Sequence, residues 1–337
     1  MKKILSSFMV MILIFALSAC GSEANTSSAE KPESSTPTKL DLAVNVYGIS
    51  GPTGMGLVDL MQKAEAGNAN LKYNIKLAGD NSEIIAKISN KEADIAAVAT
   101  NVAATLYNRT NGGITVLAVN TEGVLAVVAK GETITSLKDL KGKTVYSTGQ
   151  GANPEYIINY CLKENGLEVG KDVKVEYVSQ PQELVTKVVT NEKAIVIAPQ
   201  PVATTITVKD QNAKIVLDMN DEWNKVTDTG LVMGCVVARN EFIEKNPEAI
   251  EIFLKEYEES INFVNKDADS AAALCEKYGI VSPAAVAKKA IPYCHIVFQS
   301  GKEMKTNLSA YLNFLFERNP ASIGGALPND VFYYSKK

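Results

Sequence analysis

Short apolar runs that end in glycine- or amide-rich turns and lead into helix-forming stretches recur along this 337-residue chain, and that rhythm restricts the fold more than any single motif. Asp94-Ile95-Ala96-Ala97-Val98-Ala99 is nearly all apolar, as a strand covered on both faces by helices must be. It runs through Thr100-Asn101 into a helical stretch over 100–107. Before it, alternation over 40–47 predicts a strand, and Gly48 to Gly56 forms a glycine-rich turn into a helix. Met55, Val58, Met61 and Ala64 give that helix its apolar stripe, and Gly67 ends it. A strand over 73–77, a helix to residue 89 opened by Asp80-Asn81-Ser82-Glu83, and a strand over 114–119 complete the block. Strand and helix alternating in short units predict an α/β fold with a mostly parallel sheet.

The pattern then starts again. Strands are predicted over 124–130, 173–178, 194–198 and 214–218, with helices over 154–165, 181–191 and 201–209 between them. After a further strand over 231–238 the chain turns helical, over 247–265, 267–278, 283–291 and 301–318. Two α/β blocks with a helical C-terminal segment result.

The N-terminus carries a different signal. Lys2 and Lys3 precede an apolar run over 8–17, and Leu17-Ser18-Ala19 supplies a small-residue cleavage site. This is the order of a secretory leader, with a hydrophobic stretch too short to span a bilayer permanently. Cys20, directly after Ala19, makes the segment similar to a bacterial lipoprotein signal. That resemblance implies cleavage after residue 19 and a lipid on Cys20; the alternative is an ordinary leader with an incidental cysteine. Residues 20–39 are rich in Ser, Thr, Glu and Pro, a composition that favours a disordered tether over a packed core. The expected location is the outer face of a cytoplasmic membrane.

Cleavage would leave 318 of the 337 residues, and losing Lys2 and Lys3 would set 32 basic side chains against 38 acidic ones. A mildly acidic body of that size has room for two lobes and lacks the basic clustering that nucleic acid demands. Cys161, Cys235, Cys275 and Cys294 are scattered with no zinc-like spacing, and small buried hydrophobes is their default reading. A Cys275–Cys294 disulfide stays open. His295 is the single histidine, among apolar neighbours, which weakens any triad or imidazole-rich metal site. Gly149-x-Gly151 meets Pro154 where a dinucleotide fingerprint needs its third glycine, and no phosphate-binding P-loop motif occurs. No catalytic residue, metal or cofactor is expected.

Ser136-Leu137-Lys138-Asp139-Leu140-Lys141-Gly142-Lys143-Thr144-Val145, followed by Gly149-x-Gly151, resembles a segment of periplasmic-binding-protein-like solute receptors. Asn240-Glu241-Phe242-Ile243-Glu244-Lys245-Asn246-Pro247 is similar to the same group, whose nearest branch is the nitrate/sulfonate/taurine and thiamine-pyrimidine-precursor binding proteins of ABC importers. The resemblance covers about residues 40–335. It implies a type II fold: two α/β lobes joined by two crossing strands, here near 123–130 and 230–238, with ligand held between them. Residues 40–125 plus 236–337 would form lobe 1 and residues 126–235 lobe 2. It also implies three partners: a small-molecule solute, an ABC permease with its ATPase, and the membrane through Cys20. A monomer is expected.

Ligands of open α/β sheets sit beyond the carboxyl ends of strands, where turns lead into helix N-termini. The turns that meet this condition hold Tyr47, Ser50, Gly51, Thr53, Gly54, Thr100 and Asn101 in the first block, and Gly149, Gln150, Gly151, Asn153 and Gln200 in the second. For each, a plain connecting loop is the alternative. None of the turns holds Lys or Arg, which tilts the expected ligand toward a neutral, polar or heterocyclic solute, although backbone amides could still bind a carboxylate or sulfonate. Tyr47, Tyr156 and Trp223 are candidates for ring stacking, with a core role as the alternative; Glu122 and Asp228 are candidates for a ligand amine or for hinge hydrogen bonds. The leading expectation is a solute receptor that closes on its ligand. An enzyme of the thiamine-pyrimidine-synthase type and a lipid-anchored sensor are the alternatives.

Overall fold

A computed structural model describes residues 39–336. Cys20 and the leader lie outside the described residues. Eleven strands run β1 (Ala43–Ile49), β2 (Lys72–Ala78), β3 (Ile95–Ala99), β4 (Ile114–Thr121), β5 (Leu125–Lys130), β6 (Thr144–Ser147), β7 (Lys174–Tyr177), β8 (Ala194–Pro199), β9 (Ala213–Asp218), β10 (Gly234–Arg239) and β11 (Ile296–Gln299). They form two sheets, ordered β11-β4-β10-β3-β1-β2 and β7-β6-β8-β5-β9, with helices packed against both.

The sheets are mixed, not mostly parallel. β1 pairs in parallel with β2 and β3, and β6 with β7 and β8, whereas β10 runs antiparallel to β3 and β4, and β5 antiparallel to β8 and β9. The reason lies in the connections. β4 ends in the first sheet and β5 begins in the second after residues 122–124 only, so the chain enters the second sheet from the edge at which β6 and β8 finish. β10 returns in the same manner after β9. Each crossing strand therefore opposes its new neighbours, and the carboxyl ends of β1, β3, β6 and β8 all face one seam.

Burial follows the expected patterning. Every residue of β4 is buried, and β3 and β5 are buried except for their last residues. The conspicuous Ser136 to Gly142 motif is a structural staple. Leu137 and Leu140 are wholly buried on a 3-10 turn, and the Asp139 carboxylate accepts from the Thr135 and Ser136 amides at 2.8 and 2.9 Å. Those amides hold the Asp139 carboxyl below its usual range.

The first helix departs from the predicted continuous one. It forms as Pro52–Met55 and Val58–Glu65. Ser260, from the long helix Pro247–Lys266, donates to the Gly56 carbonyl at 2.7 Å and accepts from the Leu60 amide at 3.2 Å. A hydroxyl thus sits where the bond between residues 56 and 60 would close, a recognised cause of helix breaks. Ser260→Ala, which leaves both groups buried and unpaired, is expected to destabilise the fold by about 1–3 kcal/mol in denaturant titration; an unchanged midpoint would contradict this role.

Candidate functional site

Four turns lie at the carboxyl ends of β1, β3, β6 and β8. In the first sheet, Gly51 adopts φ 100° and donates its amide to the Ile280 carbonyl at 3.2 Å, while the exposed Ser50 hydroxyl donates to Gly279 at 3.5 Å. The Thr53 carbonyl accepts from Asn120 at 3.5 Å. Gly54 is required by packing, since a Cβ there would lie 2.2 Å from the Ile49 carbonyl oxygen. Tyr47 is buried on the face of β1 opposite Val44 and Val46. Thr100 is fully buried and donates its hydroxyl to Val232 at 2.9 Å, tying the β3 turn to the segment that leads into β10.

Asn101 is one of the residues through which the two halves touch. Its Nδ2 donates to the Ser322 carbonyl at 3.4 Å, and its Oδ1 accepts from Asn153 Nδ2 at 3.4 Å. Asn153 opens the helix Asn153–Glu164 after the Gly149 to Gly151 turn, in which both glycines have positive φ, 82° and 72°. Gln150 is exposed. The Gly151 amide donates to Glu155 Oε2 at 2.5 Å, and the Gly151 carbonyl accepts from the Tyr156 hydroxyl at 2.8 Å. Tyr156 in turn accepts from Asn319 at 2.9 Å, so the C-terminal segment fastens both sides of the seam. Gln200 ends the β8 turn: its amide donates to Val124 in the crossing, and its Oε1 accepts from the Thr204 amide and hydroxyl at 3.3 and 2.8 Å.

The crossings carry a polar network that no sequence pattern assembles. Glu122 accepts from Gln299 at 2.8 Å and from Asn220 at 3.4 Å, and Asn220 accepts from the Gly123 amide at 3.2 Å. His295 Nε2 lies 2.8 Å from Asp218 Oδ2, linking the residue before β11 of one sheet to the end of β9 of the other. Both carboxylate oxygens of Glu122 are thus engaged at the first crossing; Asp228 is exposed beside the second. Trp223 belongs to the core. Its ring is wholly buried against Tyr160 and Phe314, at centroid distances of 5.0 and 4.8 Å, and its indole donates to Thr229 at 2.7 Å. Cys275 and Cys294 are free buried thiols, as are Cys161 and Cys235.

A family model described as "ABC transporter, phosphonate, periplasmic substrate-binding protein" matches residues 57–287, more than half of the chain. The chain belongs to that family. Three solved structures show that this substrate-binding protein shares its fold with others. An ABC transporter structure from Parabacteroides distasonis superposes with a TM-score of 0.74 at 22% identity, over 88% of this chain and 100% of that one. The periplasmic aliphatic sulphonate binding protein of Escherichia coli gives 0.66 at 15% identity, over 88% and 94%. The periplasmic nitrate-binding protein of Synechocystis gives 0.55 at 14%, over 84% and 83%. No curated protein matches the chain. No helix among the described residues is long and apolar enough to cross a membrane.

The stability of this substrate-binding protein is expected to respond to pH through His295. Burial alone would lower its pKa, but the Asp218 hydrogen bond and charge, with Glu122 and Asp221, outweigh burial and raise it above the ordinary value. A raised folded-state pKa stabilises the fold fully below the unfolded value, about 6.5, and that contribution is lost as pH rises through the folded value. The melting-temperature difference between the protein and His295→Gln should therefore be largest at about pH 5–6 and shrink toward about pH 9. A difference that stays constant across this range would contradict the assignment.

Proposed function

We propose that this chain is the lipid-anchored, extracytoplasmic receptor of an ABC importer, which captures a small polar or heterocyclic organic solute between its two lobes and delivers it to a permease. The lobes are residues 40–125 with 236–337, and residues 126–235. The observation that carries the proposal is the 3.4 Å contact between Asn101 and Asn153, because it joins turns at the carboxyl ends of strands in both sheets. Around it, Tyr47, Ser50, Gly51, Thr53, Gly54, Thr100, Gly149, Gln150, Gly151 and Gln200 make up the proposed ligand-binding turns. Lipid on Cys20 holds the receptor beside the permease and raises its effective concentration there.

The enzymatic alternative finds little support. The sole histidine is engaged with Asp218 in the hinge, and burial pushes the Cys161 and Cys275 thiols up to about 12, away from the reactive thiolate. Native mass spectrometry of the purified protein should detect a co-purifying small molecule, and small-angle scattering should show compaction when that molecule is restored. A tightly bound molecule that leaves the radius of gyration unchanged would defeat the closing-lobe reading. Cys20→Ala should leave solute affinity intact and lower uptake in cells; full uptake by the unanchored protein would show the lipid to be dispensable.

A further inference from the structure

If the chain is a solute receptor, as proposed, the polarity of its seam specifies the class of solute. Two side chains in the second-sheet turns are more than nine-tenths buried and keep a polar atom without a hydrogen-bond partner: Asn153, 8% exposed, through Oδ1, and Gln200, 4% exposed, through Nε2. Their orientations are fixed by their neighbours. Asn101 gives its Nδ2 to Ser322, so its Oδ1 faces Asn153, which must present Nδ2 and leave Oδ1 as an acceptor. The Thr204 amide can only donate, so Gln200 must present Oε1 to it and leave Nε2 as a donor. β6 and β8 are adjacent parallel strands, which places the two turns side by side. A third buried atom without a partner, the Tyr177 hydroxyl, ends β7 at the same edge.

The same turns are poorly built for an anion. Where no cation is at hand, an anion is bound by free amides at helix N-termini, and four of the amides in these turns are occupied. The Gly151 amide is taken by the Glu155 carboxylate at 2.5 Å, the Thr204 amide by Gln200, the Gly51 amide by Ile280 and the Thr100 amide by Met233. Arg318, on the helix that bridges the two halves, lies 3.5 Å from the Phe314 ring centroid and donates to the Phe314 carbonyl. An incoming phosphonate or sulfonate would meet the Glu155 carboxylate and an acceptor oxygen on Asn153.

We infer that the seam takes a neutral solute offering one hydrogen-bond donor to Asn153 Oδ1 and one acceptor to Gln200 Nε2, as along the edge of a carboxamide, lactam or cyclic imide, and that it rejects phosphonates, sulfonates and nitrate. A site built to satisfy buried polar groups discriminates strongly against ligands that leave those groups unpaired.

The test is titration calorimetry on the full-length protein after its co-purified solute has been removed by unfolding and refolding. One probe set is methylphosphonate, ethanesulfonate and nitrate; the other is nicotinamide, 2-pyrrolidone and uracil. A neutral probe should bind with an affinity that is flat from about 20 to about 500 mM salt. Gln200→Glu keeps the oxygen that Thr204 binds but replaces the free donor with an acceptor, and should weaken that binding by about 30-fold. Asn153→Leu, checked for an unchanged unfolding transition, should do the same. Binding of an anionic probe with salt-sensitive affinity overturns the inference, as does a neutral probe indifferent to both substitutions. If neither set binds, the charge of the co-purified solute decides: a neutral molecule supports the inference and an anion overturns it. If no solute co-purifies and no probe binds, the receptor reading itself fails.

Discussion

The seam depends on the two places where the backbone passes between the sheets. Residues 122–124 carry the chain from β4 of one sheet directly into β5 of the other. There it opposes β8 and β9, and β10 makes the mirror passage back beside β3 and β4. The result aligns the carboxyl ends of β1, β3, β6 and β8 along one line, where glycine-rich turns expose backbone and short amide side chains. Both sheets repeat one order, second-first-third-crossing-fourth, so each half offers equivalent turns to the seam.

The passages are held by polar contacts and the flank by apolar ones. Glu122, Asn220, Gln299 and the Asp218–His295 pair form a network in which Glu122–Asn220 and Asp218–His295 link the two halves and Glu122–Gln299 lies within one. Beside it, Tyr160, Trp223 and Phe314 interlock through edge contacts, joining the helix Gly301–Arg318 to the second sheet's helices. The seam carries the Asn101–Asn153 amide contact, the Tyr156–Asn319 hydrogen bond and the packing of helix Ala284–Ala290 against helix Val202–Lys209.

Much of this architecture is legible in the sequence, for identifiable reasons. Apolar runs such as 94–99 mark strands because burial on both faces leaves no other composition, and the Asp80 cap is visible because its carboxylate acts on an amide three residues away. The features that escape sequence reading are long-range. Ser260 breaks a helix 200 residues away in sequence, which no local pattern announces. β11 is a four-residue strand whose identity comes only from pairing with β4, and without it His295 cannot be placed beside Asp218. The expectation of mostly parallel sheets failed because crossing strands have the same apolar composition as parallel ones. The turns are recognisable as turns, while their division of labour, with Gly54 and Thr100 spent on packing and Asn153 and Gln200 left with free polar atoms, depends on contacts distant in sequence.

If the two sheets act together as one receptor, the solute lies in the seam, in contact with turns from both. A crystal structure of the protein with its co-purified molecule decides this. Electron density is expected between the Asn101 and Asn153 turns and Gln200, with hydrogen bonds to Asn153 Oδ1 and Gln200 Nε2. Density elsewhere, such as in the surface hollow of about 410 Å³ lined by Thr105, Asn108, Arg109 and Gly324, with the seam unchanged, would contradict it.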